Sequence, residues 1–103
     1  MTEINANPHV IELIQAAAER AKAKHPVFSP SLGCAINLLT EEYLELVTAY
    51  NDHRHGVSNL PRVADETLDV AAVVVRLLEY LIEAMTDDEL RRLEELRGDS
   101  SGL

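Results

Sequence analysis

The chain has 103 residues, of which 47% are hydrophobic and 26% are charged, as expected for one globular domain spanning residues 1–103. Its formal net charge of −9 argues against a protein that binds the nucleic-acid backbone. Neither a signal peptide nor an apolar run long enough to cross a membrane is apparent, so we expect a cytoplasmic protein without a membrane partner.

The first predicted helix starts near Asn7, which can cap it, with Pro8 in the first helical position. It ends at His25 and Pro26, since the residue before a proline avoids helical backbone angles. Apolar residues recur at helical spacing and give this helix its inward face: Val10, Leu13, Ile14, Ala17 and Ala21.

The second predicted helix starts at Ser29 and Pro30, again as a cap followed by a proline. Its apolar positions are spaced alternately by four and three residues, which predicts a bundle seam: Leu32, Ile36, Leu39, Tyr43, Leu46 and Tyr50. At about 100° per residue, Glu42 lies about 80° from the centre of this seam and Glu45 about 140° away on the same side. Glu41 falls on the far face.

The third predicted helix follows a turn at Gly56, begins between Ser58 and Pro61, and runs to about Met85. Glu66 lies on the flank of its predicted seam, which consists of Val63, Val70, Val74, Leu77 and Leu81.

Between Val70 and Ile82 the third helix is apolar almost all round. Such a helix needs neighbours on more than one side, and one short chain offers few. We therefore expect a homo-oligomer formed through helices, either a dimer or a tetramer.

A fourth, strongly charged helix is predicted after the capping box from Thr86 to Glu89, with Gly98 closing it. Residues 1–7 and 99–103 are expected to be disordered. Four helices with short connections predict an all-α fold, an antiparallel four-helix bundle whose two long central helices carry an acidic motif.

The acidic motif consists of two pairs of carboxylates, each with a spacing of three residues, which places both members on one helical face. The pairs are Glu42 with Glu45 and Glu66 with Asp69. If the turn at Gly56 reverses the chain, Glu42 lies opposite Asp69 and Glu45 opposite Glu66. Converging like charges repel unless a cation binds, and oxygen ligands suit Mg²⁺ or Mn²⁺. The sequence therefore predicts a metal site.

The order Glu41-Glu42-x-x-Glu45, twenty further residues, then Glu66-x-x-Asp69 resembles the signature of the all-α nucleoside triphosphate pyrophosphohydrolases, the MazG-like proteins. The resemblance implies that these five acidic residues are catalytic. All except Glu41 would hold Mg²⁺, while Glu41 would act as an outer contact, as a ligand of a second ion or as the base for water.

The resemblance extends over about residues 31–80. It implies Mg²⁺-dependent cleavage of a nucleoside triphosphate, with ribose or deoxyribose, between its α- and β-phosphates. The products would be the nucleoside monophosphate and pyrophosphate, and the expected role is to sanitise or control nucleotide pools. The competing prediction is a non-catalytic helical oligomerisation or interaction protein whose acidic stripe docks a basic partner. A relative that has lost activity is a third possibility.

Phosphate binding requires cations, and Arg62 is the first candidate because it precedes Glu66 by one turn on the same flank. Arg54, near the turn, is a second candidate, and Lys22 and Lys24 are weaker ones. Some relatives have a lysine just before the pair of glutamates. Here the segment 38–40 reads Leu-Leu-Thr, which disfavours a phosphoribosyl-ATP substrate.

Other reactive residue types have ordinary structural interpretations. Asp52 and His55 are three residues apart, but the Glu-x-x-His pair of di-iron bundles is absent, and histidines are favourable at a helix end. Cys34 cannot form an internal disulfide, which fits a reducing cytoplasm, and we expect it to be buried and inert. Tyr43 and Tyr50 are expected in the core.

Overall fold

Four α-helices follow one another in the computed structural model, which describes residues 7–56 and 59–99. No strand occurs in these two ranges, so the all-α prediction is confirmed. Among the described residues, no helix combines the length and the apolar character needed to span a membrane. The helices are α1 (Pro8–Lys24), α2 (Leu32–Arg54), α3 (Leu60–Ala84) and α4 (Asp87–Asp99).

The helix starts follow local capping chemistry. The Asn7 side chain accepts a hydrogen bond from the His9 backbone N–H at 2.9 Å, as expected of a cap. The capping box is also confirmed, because Thr86 and Glu89 exchange side-chain bonds with each other's backbone N–H at 2.9 and 3.2 Å. The prediction that Ser29 caps α2 was wrong.

Ser31 caps α2, because its backbone is extended and its hydroxyl accepts from the Cys34 N–H at 3.1 Å. The Ser29 hydroxyl instead donates to the Ser31 carbonyl at 2.8 Å. At the other end, α2 ends at Arg54, and two residues later Gly56 has a positive φ of 77°, a backbone conformation that glycine adopts without strain. Helix α3 then begins at Leu60, after an Asn59 side chain that accepts from the Arg62 N–H at 3.2 Å.

Most of the residues predicted to be disordered (1–6 and 100–103) lie outside the described residues, as does Ser58. Asn7 and Asp99 are described, the first as the cap of α1 and the second as the last residue of α4. The helix therefore continues through Gly98, which was predicted to end it.

Helix α3 packs against both α1 and α2. Val10 and Leu60, near the starts of α1 and α3, line one groove, while Lys22 near the end of α1 forms an ion pair with Glu79 at 2.8 Å. Helices α1 and α3 are therefore parallel, and α2 runs antiparallel to both. This is the alternation of an antiparallel bundle. Of the described side chains of α4, Leu90 and Leu93 are half-buried and the others are exposed.

The face of α2 that packs differs from the predicted seam. Tyr43 and Tyr50 are 55% and 51% exposed, whereas Ala35 and Ala49 are fully buried. On a helical wheel the packed face is rotated by about 60° from the predicted one. We call this face the packed row; it consists of Ala35, Leu39, Glu42, Leu46, Ala49 and His53.

The buried core is made of small side chains. Ala17 and Ala18 of α1 pack on Ala72 of α3, with Leu68 and Val75 beside them. Within the described ranges, no large side chain is fully buried, and Val74, predicted in the seam of α3, is exposed. The radius of gyration is 16.0 Å. A compact chain of this length would have about 13 Å.

Candidate metal centre

The four carboxylates predicted to converge do lie together. Glu42 and Glu45 project from α2, and Glu66 and Asp69 project from the antiparallel α3. One potential ligand oxygen from each lies within 4.8 Å of the others. This arrangement follows from the spacing of three within each pair and from the chain reversal at Gly56. We call these four residues the carboxylate cluster.

Burial and mutual repulsion disfavour the ionised forms of the cluster. Burial is the main cause that raises the pKa of Glu42 to about 7, with the Glu45 charge as the next cause. The pKa of Glu66 is raised chiefly by burial and then by Glu45 and Asp69. Burial, followed by the charges of Asp65 and Glu45, also raises the pKa of Asp69. Without a cation, the cluster is electrostatically unfavourable at neutral pH.

The donor set fits a hard divalent ion. Two oxygens on opposite sides of Mg²⁺ lie about 4.2 Å apart, twice the usual metal–oxygen distance, and adjacent ones lie closer. Separations below 4.8 Å therefore need only small side-chain adjustments. Moreover, the Oε2 atom of Glu66 is buried and has no hydrogen-bond partner among the described residues. A bound cation would supply the interaction that this oxygen lacks.

Glu41 is not part of the cluster. It is exposed on α2, on the side facing away from the packed row, which agrees with its predicted outward position. Its place in the motif is therefore compatible with a supporting role and not with a position among the four converging oxygens.

Of the two predicted phosphate-binding arginines, only Arg62 lies beside the cluster. It lines a cavity of about 210 Å³ together with Glu45 and Glu66. Its guanidinium is held by Asp52 at 2.7 Å. Arg54 is exposed at the end of α2 and lines neither this cavity nor the larger one beside Glu42 among the described residues.

Two other cations share a cavity with Asp69: Arg20, which was not predicted, and Lys24, which was ranked low. Arg20 and Lys24 of α1 line a cavity of about 500 Å³ that also reaches Glu42 and Asp69. Their positive charges oppose the rise in the pKa of Asp69. The sequence contained an indication that these two cations lie together, because they are four residues apart and therefore share one side of α1, beside its alanine face. Lys22 lies elsewhere, in its ion pair with Glu79.

Within residues 7–56 and 59–99, the remaining reactive residues do not form a second cluster that could hold a metal ion. Asp52 is engaged by Arg62, and the Nδ1 atom of His55 contacts the Asn51 carbonyl at 2.9 Å. Cys34 is exposed, so its predicted burial was wrong; it lies in the first turn of α2, where the side chain has few neighbours.

Tyr43 and Tyr50, predicted in the core, are exposed as well. The alanines of the packed row let α2 approach α3 closely, which directs the larger aromatic rings outward.

Comparisons of the chain with protein-family models, with curated proteins and with solved structures found no match.

Proposed function

We propose that the protein is a Mg²⁺-dependent nucleoside triphosphate pyrophosphohydrolase, with Mn²⁺ able to replace Mg²⁺. The observation that carries the proposal is the carboxylate cluster, four acidic side chains from two antiparallel helices with oxygens within 4.8 Å of one another. Their order along the chain is the one that resembles the MazG-like motif. The buried, unpartnered oxygen of Glu66 gives the cluster a specific need for a cation.

The residues of the cluster would hold the ion and fix its position between α2 and α3. A bound divalent cation neutralises phosphate oxygens and orients an attacking water. In the proposed reaction, water attacks the α-phosphorus, the bond to the bridging oxygen breaks, and the pair of electrons leaves with pyrophosphate. The proton of the water passes to a carboxylate within hydrogen-bond reach. Glu41, outside the cluster, would serve as that base or as an outer contact.

We further propose that the protein is cytoplasmic, that it sanitises or controls nucleotide pools, and that it assembles as a homodimer or homotetramer. Exposed apolar side chains support assembly, since large apolar patches on a single chain commonly mark interaction sites. One set lies on α2 beside the packed row, and we call it the exposed row; it consists of Leu32, Ile36, Tyr43 and Tyr50. A second set lies on α3 and consists of Val74, Leu78 and Ile82.

The direct test is pyrophosphate release from a panel of ribo- and deoxynucleoside triphosphates in Mg²⁺, in Mn²⁺ and in EDTA. We expect metal-dependent release from at least one nucleotide. Glu42→Gln and Asp69→Asn should lower kcat/KM by about 100-fold or more, because each removes a charged metal ligand while keeping its size. Glu83→Gln on α3 is the matched control, since Glu83 is exposed and outside the cluster.

The alternative is a non-catalytic helical interaction protein whose acidic stripe docks a basic partner. The net charge of −9 and the exposed apolar side chains favour it. A metal centre predicts saturable Mg²⁺ binding and a rise in Tm with Mg²⁺. A docking surface predicts small, salt-sensitive effects shared among many charges. If Mg²⁺ leaves the melting curve unchanged and no nucleotide is cleaved, the alternative replaces the enzyme.

A further inference from the structure

The cavity beside the carboxylate cluster is large enough for a small molecule. Its volume of about 500 Å³ lies within the usual range for ligand sites, about 300–1,000 Å³. One wall is formed by Glu42 and Asp69, and another is formed by the last two turns of α1. The space beside Arg62, at about 210 Å³, is below that range.

The wall formed by α1 presents two cations, Arg20 and Lys24, that face Asp69 but form no close ion pair within the part of the chain that the structure describes. The two residues are one helical turn apart. In contrast, Lys22 is paired with Glu79 and Arg62 with Asp52. The charges of Arg20 and Lys24 are therefore available to a ligand in the cavity.

A buried arginine fixes the backbone that carries these cations. Arg76 of α3 is only 7% exposed, and its guanidinium donates to the carbonyls of Ala21 at 3.3 Å and His25 at 2.7 Å. It also lies 5.0 Å from the centre of the Phe28 ring. The carboxy-terminal end of a helix ordinarily repels anions, because its free carbonyls are partly negative. Arg76 offsets that charge and makes this helix end compatible with a phosphate.

We propose that this cavity binds the terminal phosphates of the nucleotide, with Arg20 and Lys24 contacting the β- and γ-phosphates while the α-phosphate lies at the carboxylate cluster. The inference rests on the proposed function and adds the direction in which the substrate lies. Cations at this position stabilise the negative charge that develops on the departing pyrophosphate. Because the contacts are to phosphates, a polyphosphate without a base should bind as well.

Inorganic tripolyphosphate is therefore the probe, titrated at a fixed concentration of free Mg²⁺ and followed by calorimetry. We expect Arg20→Gln and Lys24→Gln each to weaken tripolyphosphate binding by roughly tenfold, and the double variant by more, because each loses a charge-assisted hydrogen bond. Lys22→Gln is the matched control: its affinity for tripolyphosphate should equal that of the wild type. All three side chains are exposed, so the variants should retain the wild-type helix content by circular dichroism.

The affinity for Mg²⁺ alone should not fall in these variants, in contrast to the affinity for tripolyphosphate. Removing Arg20 or Lys24 takes positive charge away from Asp69, so Mg²⁺ should bind as tightly as in the wild type or more tightly. A general loss of structure would instead weaken both ligands.

The outcomes separate the two proposals. Suppose that the wild type releases pyrophosphate from a nucleotide but the double variant keeps the wild-type KM and tripolyphosphate affinity. The proposal that Arg20 and Lys24 bind the terminal phosphates is then overturned, and the proposed function stands. If the wild type binds no Mg²⁺ and cleaves no nucleotide, both are overturned.

Discussion

The packed row and the exposed row of α2 are neighbours with similar spacing in the sequence, but only the packed row is buried against the rest of the chain. The packed row contacts the rest of the chain although it contains an acidic residue, Glu42, and two alanines at full burial, Ala35 and Ala49. The exposed row is the more apolar of the two, yet Tyr43 and Tyr50 remain more than half exposed. Within one chain, the row with the larger apolar side chains is therefore not the one that packs.

This difference shows what determines the packed face. Helices approach closely where side chains are small, and the two buried residues of α2 are Ala35 and Ala49. Close approach brings Glu42 within reach of Asp69, which larger side chains between the helices would prevent. The exposed row does not pack within the chain, and we propose that it contacts a second copy of the chain.

The strongest test of the comparison removes the aromatic rings of the exposed row. In Tyr43→Ser/Tyr50→Ser we expect the oligomer dissociation constant to rise by about 100-fold or more, because buried tyrosines are common sites of high interface energy. Sedimentation equilibrium measures this constant, and circular dichroism should show wild-type helix content. Glu41→Ser is the control, because Glu41 lies on the same helix but on its far face; this variant should associate as the wild type does. Unchanged association in the double tyrosine variant would contradict the proposed use of this row.

A second test enlarges a residue of the packed row. Ala35 is fully buried, so Ala35→Leu must force α2 and its neighbours apart and should lower the free energy of unfolding by about 2 kcal/mol. Urea denaturation measures the change. The matched substitution Gly33→Ala, in the same first turns of α2, meets only the Ser31 hydroxyl at 4.0 Å and should not destabilise the protein. Equal stability of Ala35→Leu and the wild type would show that the packed row has been misplaced.

Much of this architecture was predictable from the sequence. Helix periodicity, the capping box at Thr86 and the turn at Gly56 each have a local physical cause, and together they predict four helices and the reversal between α2 and α3. The convergence of Glu42 with Asp69 follows from that reversal and from the spacing within each pair. It required no knowledge of how the core packs.

The rotation of α2 was not predictable in the same way. Apolar periodicity gives weight to Tyr43 and Tyr50, whereas the closeness of two helices depends on alanines, which periodicity treats as nearly neutral. Among the cations of the site, Arg20 was missed and Lys24 was ranked low, because both belong to α1, whose angle and depth against α3 are fixed by tertiary contacts such as that of Arg76 with the His25 carbonyl. The spacing of residues within α1 does not predict that contact, which joins α1 to a residue of α3.

The smallest expected effect concerns the pH dependence caused by an acid in the packed row. The pKa of Glu42 is raised to about 7 in the folded protein, above its usual value of 4.5. In that interval the folded state binds more protons than the unfolded state, so the stability of the metal-free protein falls as pH rises from about 4.5 to 7 and then levels off. Glu66 and Asp69 shift in the same direction and add to the slope.

We therefore expect the Tm in EDTA to be lower at pH 8 than at pH 5 by roughly 5 °C, a shift typical of about 1 kcal/mol in a domain of this size. Glu42→Gln should melt higher than the wild type at pH 8 and show a smaller slope, while Glu83→Gln should follow the wild type. Mg²⁺ should raise the Tm of the wild type at pH 8 far more than that of Glu42→Gln. A wild-type Tm that rises between pH 5 and 8 in EDTA would mean that Glu42 ionises without cost. The packed row would then contain a solvated carboxylate, and the cluster would have no electrostatic need for a metal ion.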